Sequence, residues 1–353
     1  MLKRLSLIVV IVALFGSLLV SCQNGNNGTE VSEVKSVDIY IIAGQSNAGG
    51  YTGCDDLAIA PLWDKYNVGT PNVMYYGSSE YTYKNANGEW LMGVNKFSEW
   101  VPVRVGMGCD IRCIGPEVGM AAYLSENYYN GDNAGKTAGI IKYAHGGTSL
   151  FEASKSDHEF SGSWASPSYA ATLESDTSEY TGRLYIGLIN EVKSGVAALA
   201  EAGYNDINIK GVFWMQGETD KNSPDEYKTA FEYFVSDLRR DLGEIMVEDL
   251  SALPVMVGEI SETSGSALKD AVDVNNGFIE MQRSLADEIE NVYIVPSGQY
   301  KINWMEGSFS KNHGDPWHWK TTDIFAIGEM VGECIVEEIL SGTVDVETNS
   351  LKG

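Results

Sequence analysis

Basic residues are scarce. The chain of 353 residues carries 24 Lys and Arg against 49 Asp and Glu, a formal net charge of -25, and no basic run interrupts that acidic field. Such a surface repels phosphate backbones and anionic lipid headgroups, which removes nucleic acid from the expected partners. A glycine-rich phosphate loop closing in Lys-Ser or Lys-Thr is missing, so nucleotide-driven chemistry lacks its usual signature. There are four histidines, and no Cys-x-x-Cys pair among five cysteines, which with the irregular spacing of Cys109 and Cys113 leaves metal ligation by cysteine as the minor alternative. Internal repeats are absent as well. What is there is 44% hydrophobic, enough for a sizeable core and too apolar for a disordered protein. The 8 Trp, 19 Tyr and 10 Phe fit a core first and sugar-lining surfaces second.

At the start, Lys3 and Arg4 precede an apolar run from Leu5 to Val20 that ends at Ser21 and Cys22. A charged beginning, a short apolar middle and a small residue at the boundary mark an export signal. The run is shorter than the ~20 residues a spanning helix needs, and the polar stretch QNGNNGTE after it is no stop-transfer flank. Leu19-Val20-Ser21-Cys22 resembles a bacterial lipobox, which implies cleavage before Cys22, a lipid on its thiol and an exported lipoprotein, expected at the outer membrane. An ordinary signal peptide with a stray cysteine is the alternative. The expected organisation is a signal over 1–21, a flexible linker over 22–36, one folded domain over 37–341 and a mobile tail over 342–353.

Export places the other cysteines where disulfides persist. Cys334 lies on the apolar stripe Ile327, Met330, Val331, Cys334, Val336, Ile339 of an expected helix, which favours a buried free thiol. Cys54, Cys109 and Cys113 sit in loop-like sequence, where a bridge among them would tie down a long surface segment.

From Val37 onward, short β-branched or aromatic runs alternate with longer helical patterns, as in a parallel sheet covered by helices on both faces. Strands are expected over 38–43, 139–144, 207–215, 254–260 and 291–296. A helix is expected from Arg183 to Ala202, where Leu184, Leu188, Val192, Val196 and Leu199 recur on one face. The next opens at Ser223-Pro224-Asp225-Glu226, with Ser as cap, Pro in the first position and Glu reaching back. Tyr51 to Ile114 has no clean period and reads as a long elaborated loop with room for a hairpin; long loops on a rigid sheet usually carry substrate contacts.

Ligands of such sheets bind at the carboxyl ends of the strands, and four polar blocks stand there. The first is Gly44-Gln45-Ser46-Asn47, where a glycine turn lifts Ser46 as a candidate nucleophile and its own N–H as an oxyanion donor. Ser46 as a plain helix cap is the alternative. The second is His145-Gly146-Gly147-Thr148, in which Gly146 or Gly147 offers a backbone donor or simply makes a turn. The third is Trp214-Met215-Gln216-Gly217-Glu218-Thr219-Asp220: Gln216 can donate to an oxyanion, Glu218 can accept from an imidazole, and Asp220 stabilises the turn or the next helix start. The fourth is His313-Gly314-Asp315-Pro316-Trp317-His318, giving His318 as general base with Asp315 to set its tautomer. A metal held by His313, Asp315 and His318 is the rival reading. His158, isolated in a polar loop, has no expected role.

Together these blocks resemble the SGNH hydrolase superfamily, in its branch of carbohydrate esterase family six and sialate O-acetylesterase-like domains, over roughly Val37 to Leu340. Trp164 and Gly115-Pro116 also fall where that branch places such residues. The resemblance implies a three-layer α/β/α flavodoxin-like fold and a serine esterase that removes O-acetyl groups from glycans, acetylxylan among them, without metal or organic cofactor. It implies Ser46 and His318 as catalytic, with Ser46, Gly146 or Gly147, and Gln216 as oxyanion donors. The superfamily pattern points to Asp315 as the acidic partner and the family-six pattern also allows Glu218. Alternatives are a sialate O-acetylesterase, and a non-catalytic lipoprotein that binds glycans through its Trp- and Tyr-rich loops.

Overall fold

In the computed structural model, which describes residues 34–53, 60–173, 178–266, 268–302 and 316–341, the apolar run after Ser36 forms strand β1 (Ser36–Gly44). Its side chains divide by parity: Ile39, Ile41 and Ala43 enter one hydrophobic layer, Tyr40 and Ile42 the other. Successive side chains of a strand point to opposite faces, so a run apolar at every position is satisfied only between two covering layers.

After β1 come the one-turn helix α1 (Ser46–Gly49), strand β2 (Thr52–Gly53), helix α2 (Ala60–Tyr66), strands β3 (Val73–Lys84), β4 (Trp90–Pro102) and β5 (Cys113–Ile114), helix α3 (Pro116–Asn127) and strand β6 (Thr137–His145). The chain continues through α4 (Pro167–Ala170), α5 (Arg183–Glu201), β7 (Asp206–Met215), α6 (Pro224–Met246), β8 (Val255–Gly258), α7 (Lys269–Glu288), β9 (Val292–Val295) and α8 (Thr321–Cys334). Seven strands form one sheet in the order β4-β3-β6-β1-β7-β8-β9, parallel at every junction except β3 with β4. β2 and β5 make a small antiparallel pair. Leu184 and Leu188 of α5, Phe231 and Leu238 of α6, and Phe278 and Leu285 of α7 cover one face. Val118 and Leu124 of α3 with Ile324, Ile327 and Val331 of α8 cover the other. This is the three-layer α/β/α arrangement that the alternating pattern predicts.

Two local expectations need correction. The stretch from Tyr51 to Ile114 is not chiefly loop: β3 lies inside the main sheet against β6, and β4 closes its edge. Gly77, Ser78 and Ser79 interrupt the apolar pattern of β3, although Ser78 and Ser79 are buried there. At α6, Pro224 takes the first turn as expected, but the Ser223 side chain makes no capping hydrogen bond.

Cys109 and Cys113 are buried free thiols, and Cys334 is a partly buried one. A hydrogen bond with Cys113, together with burial, drives the Cys109 thiol far above its ordinary pKa, so it is an inert thiol rather than a nucleophile. Among the described residues no helix is long and apolar enough to cross a membrane. The proposed signal and Cys22, together with Cys54, His313, Asp315 and the tail from 342, lie outside the described residues.

Candidate active site

The edge formed by the carboxyl ends of β1, β6 and β7 is shaped first by a glycine. Gly44 has φ +140°, and a Cβ there would sit 2.1 Å from the Met215 carbonyl oxygen. Without a side chain the backbone turns while Gln45 N–H still reaches Met215 O at 3.0 Å. The next residue, Ser46, opens α1, and it is 7% exposed, facing a cavity of about 200 Å³.

Several predicted residues meet in that cavity. Ser46, Gly146, Gly147, Glu218 and His318 all line it, from four separate segments. Ser46 and His318 face the same cavity, and among the described residues no direct hydrogen bond joins the Ser46 hydroxyl to the His318 ring; catalytic hydrogen bonds are often long before substrate binds. His318 is held by stacking on Tyr51, with ring centres 5.2 Å apart and planes 26° apart. Tyr51 in turn donates its hydroxyl to the Glu80 carbonyl at 3.0 Å. Burial holds the Tyr51 phenol well above its ordinary pKa, so it remains a donor.

Glu218 is buried beside His318. Its pKa is raised, chiefly because burial penalises the charge, although a backbone donor, Asn47, His318 and Lys221 all pull the other way. Asn47 Nδ2 donates to Glu218 Oε1 at 2.6 Å and to the Trp317 carbonyl at 3.1 Å. One amide therefore joins the Ser46 turn, the end of β7 and the His318 segment. Apart from its place in the Gly-Gln-Ser-Asn block, nothing in the sequence marks Asn47 for this role.

The two glycines after β6 differ. Gly146 N–H points to Glu80 O at 3.4 Å, whereas among the described residues the Gly147 N–H meets no protein acceptor. At φ +67°, Gly147 holds a left-handed turn that a side chain would strain. Thr148 pins the block: its hydroxyl donates to His145 O at 2.7 Å and accepts from Trp164 Nε1 at 2.8 Å. That contact accounts for the buried Trp164.

Gln216 does not take the position expected of an oxyanion donor. Its Nε2 donates to Thr148 O at 2.9 Å and to Asp220 Oδ2 at 2.6 Å, so both amide hydrogens point inward. Both partners accept, which fixes the orientation of the amide. Asp220 Oδ2 also accepts from Leu150 N–H at 2.7 Å, so this carboxylate ties β7 to the loop after β6 and not to the start of α6.

Beneath α1 lies a buried charge pair. Lys142 and Glu117 are both 0% exposed and 2.9 Å apart. Lys142 also donates to the carbonyls of Met107 (2.7 Å) and Gly49 (3.3 Å), and Glu117 accepts from Gly115 N–H at 2.9 Å. The last carbonyl of α1 is held further by the Ser79 hydroxyl at 2.9 Å. Low-dielectric surroundings strengthen these bonds and fix the turn that carries Ser46.

Tyr51, Thr82, Asp157 and Trp317 line the cavity too, none of them singled out by sequence. Trp317 is covered by the Lys221 ammonium, 5.2 Å from its ring centre. His158, the residue after the cavity's Asp157, makes ring contacts with Trp90 and Phe160. A larger depression of about 770 Å³ beside the end of α6 lies away from all these strand ends. Its Arg239 is taken up by the carbonyls of Leu253 and Glu290.

Among solved structures, the chain resembles NanS, with 16% identity, a TM-score of 0.51, and coverage of 86% of this chain and 97% of that one. It also resembles XAC1771, a carbohydrate acetylesterase from Xanthomonas citri, with 15% identity, a TM-score of 0.53, and coverage of 86% and 56%. These likenesses show a shared fold. No curated protein matches the chain. The family model described as SASA, carbohydrate esterase, sialic acid-specific acetylesterase, matches residues 36–337. Spanning nearly all of the folded region, that match shows that the chain belongs to this family of carbohydrate esterases and is a carboxylic ester hydrolase.

Proposed function

We propose that the protein removes O-acetyl groups from a neutral glycan, of which acetylated xylan is the type, through an acetyl-enzyme formed on Ser46. The observation that supports it is one cavity lined by Ser46, Gly147, Glu218 and His318. In this mechanism Ser46 Oγ attacks the acetyl carbonyl while His318 takes its proton. The N–H groups of Ser46 and Gly147 hold the oxyanion, and His318 returns the proton to the departing sugar hydroxyl. Water, deprotonated by the same ring, then releases acetate. Asp315 is the assigned partner of His318, with Glu218 adjacent. Gln216 serves by holding Thr148 and Asp220, and Gly146 by anchoring the turn to β3.

A neutral sugar is preferred because the acidic side chains Asp157 and Glu218 line the cavity and, among its described lining residues, no Lys or Arg does. A sialate carboxylate would meet that field unfavourably. The family description favours sialate instead, and a substrate panel decides. Acetate release should be larger from acetylated xylan than from O-acetylated sialic acid, and the Ser46→Ala protein should release none. The reverse preference would make the protein a sialate esterase, and turnover of a synthetic acetyl ester by the Ser46→Ala protein would remove Ser46 from the mechanism. A wild-type protein that hydrolyses no acetyl ester would be a glycan-binding relative.

The same proposal has the chain exported and anchored by a lipid on Cys22. Incorporation of labelled palmitate that disappears in Cys22→Ala tests it.

A further inference from the structure

The β3–β4 hairpin outruns the sheet to which it belongs. β6 ends at His145, opposite Glu80, whereas β3 continues to Lys84 paired only with β4, and Lys84 faces Trp90. Four further residues at ~3.4 Å each carry the tip about 14 Å past the carboxyl edge that holds Ser46. The turn is fixed by Asn85, whose Oδ1 accepts from the N–H groups of Asn87 and Glu89.

Alternation places Thr82 and Lys84 on one face of this overhang, with Met92 and Trp90 opposite them in register. Thr82 lines the Ser46 cavity. One step outward on the same face, Lys84 Nζ lies 4.8 Å from the Trp90 ring centre. Trp90 is 45% exposed and packs 4.1 Å from His158, which stacks on Phe160 at 5.3 Å with 12° between planes. The residue before His158 is Asp157, another wall of the cavity. Shelf and cavity are thus continuous through Thr82 on the strand side and Asp157 on the loop side.

We propose that this shelf is a second sugar subsite, so that the substrate is an acetylated oligo- or polysaccharide and not a free monosaccharide. The acetylated ring enters the cavity, and the neighbouring ring lies against Trp90, with Lys84 and Asp157 placed for its hydroxyls. A sugar ring fits because it presents an apolar C–H face bordered by hydroxyls, matching the exposed part of Trp90, whose ring also carries the Lys84 ammonium over it and His158 against it. The assignment of the cavity to the acetylated ring rests on the proposed esterase activity; the shelf's affinity for sugar does not.

Two measurements test the proposal separately from the chemistry. In the first, kcat/KM is compared for O-acetylated xylo-oligosaccharides and for O-acetylated xylose. The longer substrate should be favoured about tenfold or more through KM, as expected for one aromatic stacking contact, with the advantage lost in Trp90→Ala and kept in Trp90→Phe. Equal values for the two substrates, or an advantage that survives Trp90→Ala, would overturn it. In the second, unacetylated xylo-oligosaccharides are titrated calorimetrically into the Ser46→Ala protein. Binding that vanishes when Trp90→Ala is added supports the shelf even if no ester is hydrolysed, and absence of binding overturns it. A dimer that dissociates on Trp90→Ala, seen by sedimentation, would assign the shelf to a second copy of the chain and also overturn it.

Discussion

Asn47 Nδ2 donates to Glu218 Oε1 across 2.6 Å and 171 positions of sequence, the shortest link between the Ser46 turn and the strand end that carries the buried carboxylate. Its second hydrogen bond reaches the Trp317 carbonyl, next to His318. Removal of this amide leaves a buried acid without a side-chain hydrogen-bond donor among the described residues. Asn47→Ala is expected to cost about 1–3 kcal/mol of stability, measured by urea unfolding. Because the amide favours the charged form of Glu218, its loss should also raise the Glu218 pKa further, read by following the carboxyl band in an infrared pH titration.

The acidic partner of His318 is decided by two substitutions in one turnover assay. Loss of the true partner costs up to about ten-thousandfold in kcat. Asp315→Asn is expected to be the more damaging change, and Glu218→Gln the milder one, with the acid limb displaced. A silent Asp315→Asn beside a severe Glu218→Gln would transfer the role to Glu218.

Gln216→Ala should act on stability more than on the oxyanion. Thr148 O and Asp220 would lose a buried donor, at a cost of about 1–3 kcal/mol. If kcat falls a hundred- to a thousandfold while the unfolding midpoint is unchanged, Gln216 is a direct oxyanion donor after all.

Asp220 carries a pH signature. Burial pushes its pKa up from the ordinary 3.8 to about 6, against the opposing hydrogen bonds from Leu150 N–H and Gln216. A raised acid contributes its stability fully below its unfolded pKa and loses it as pH rises through the folded one. Between pH 3.8 and about 6 the protein should therefore lose stability that Asp220→Asn retains. Paired thermal melts should show the variant gaining on the parent as pH rises through that window.

The Lys142–Glu117 pair is predicted to be costly to break and cheap to replace. Lys142→Met alone strands a buried carboxylate and should destabilise by about 3–5 kcal/mol, whereas adding Glu117→Leu should recover most of that. Urea unfolding of the two proteins gives the difference.

Periodicity made the five strands β1, β6, β7, β8 and β9 legible, because a strand buried on both faces must be apolar at nearly every position. β3 escaped the same reasoning: its buried Ser78 and Ser79 look polar in sequence, and Ser79 is accommodated only because the Gly49 carbonyl of a distant turn accepts its hydroxyl. The hairpin's outward half gave no burial signal, since both of its faces meet water.

At the site, sequence by itself determined where the polar groups stand: a glycine turn after an apolar strand places Ser46, Gly147 and Glu218 at one edge, because parallel strands all end there. Only the tertiary structure decided where those groups point. Gln216 turns inward because Thr148 and Asp220 lie within reach, Asn47 becomes a bridge because Glu218 and Trp317 approach it, and Trp90 meets His158 because the hairpin overhangs the edge. Burial repeats with the local geometry of the chain and can be read along it, whereas the direction of a hydrogen bond depends on partners brought from remote segments by folding.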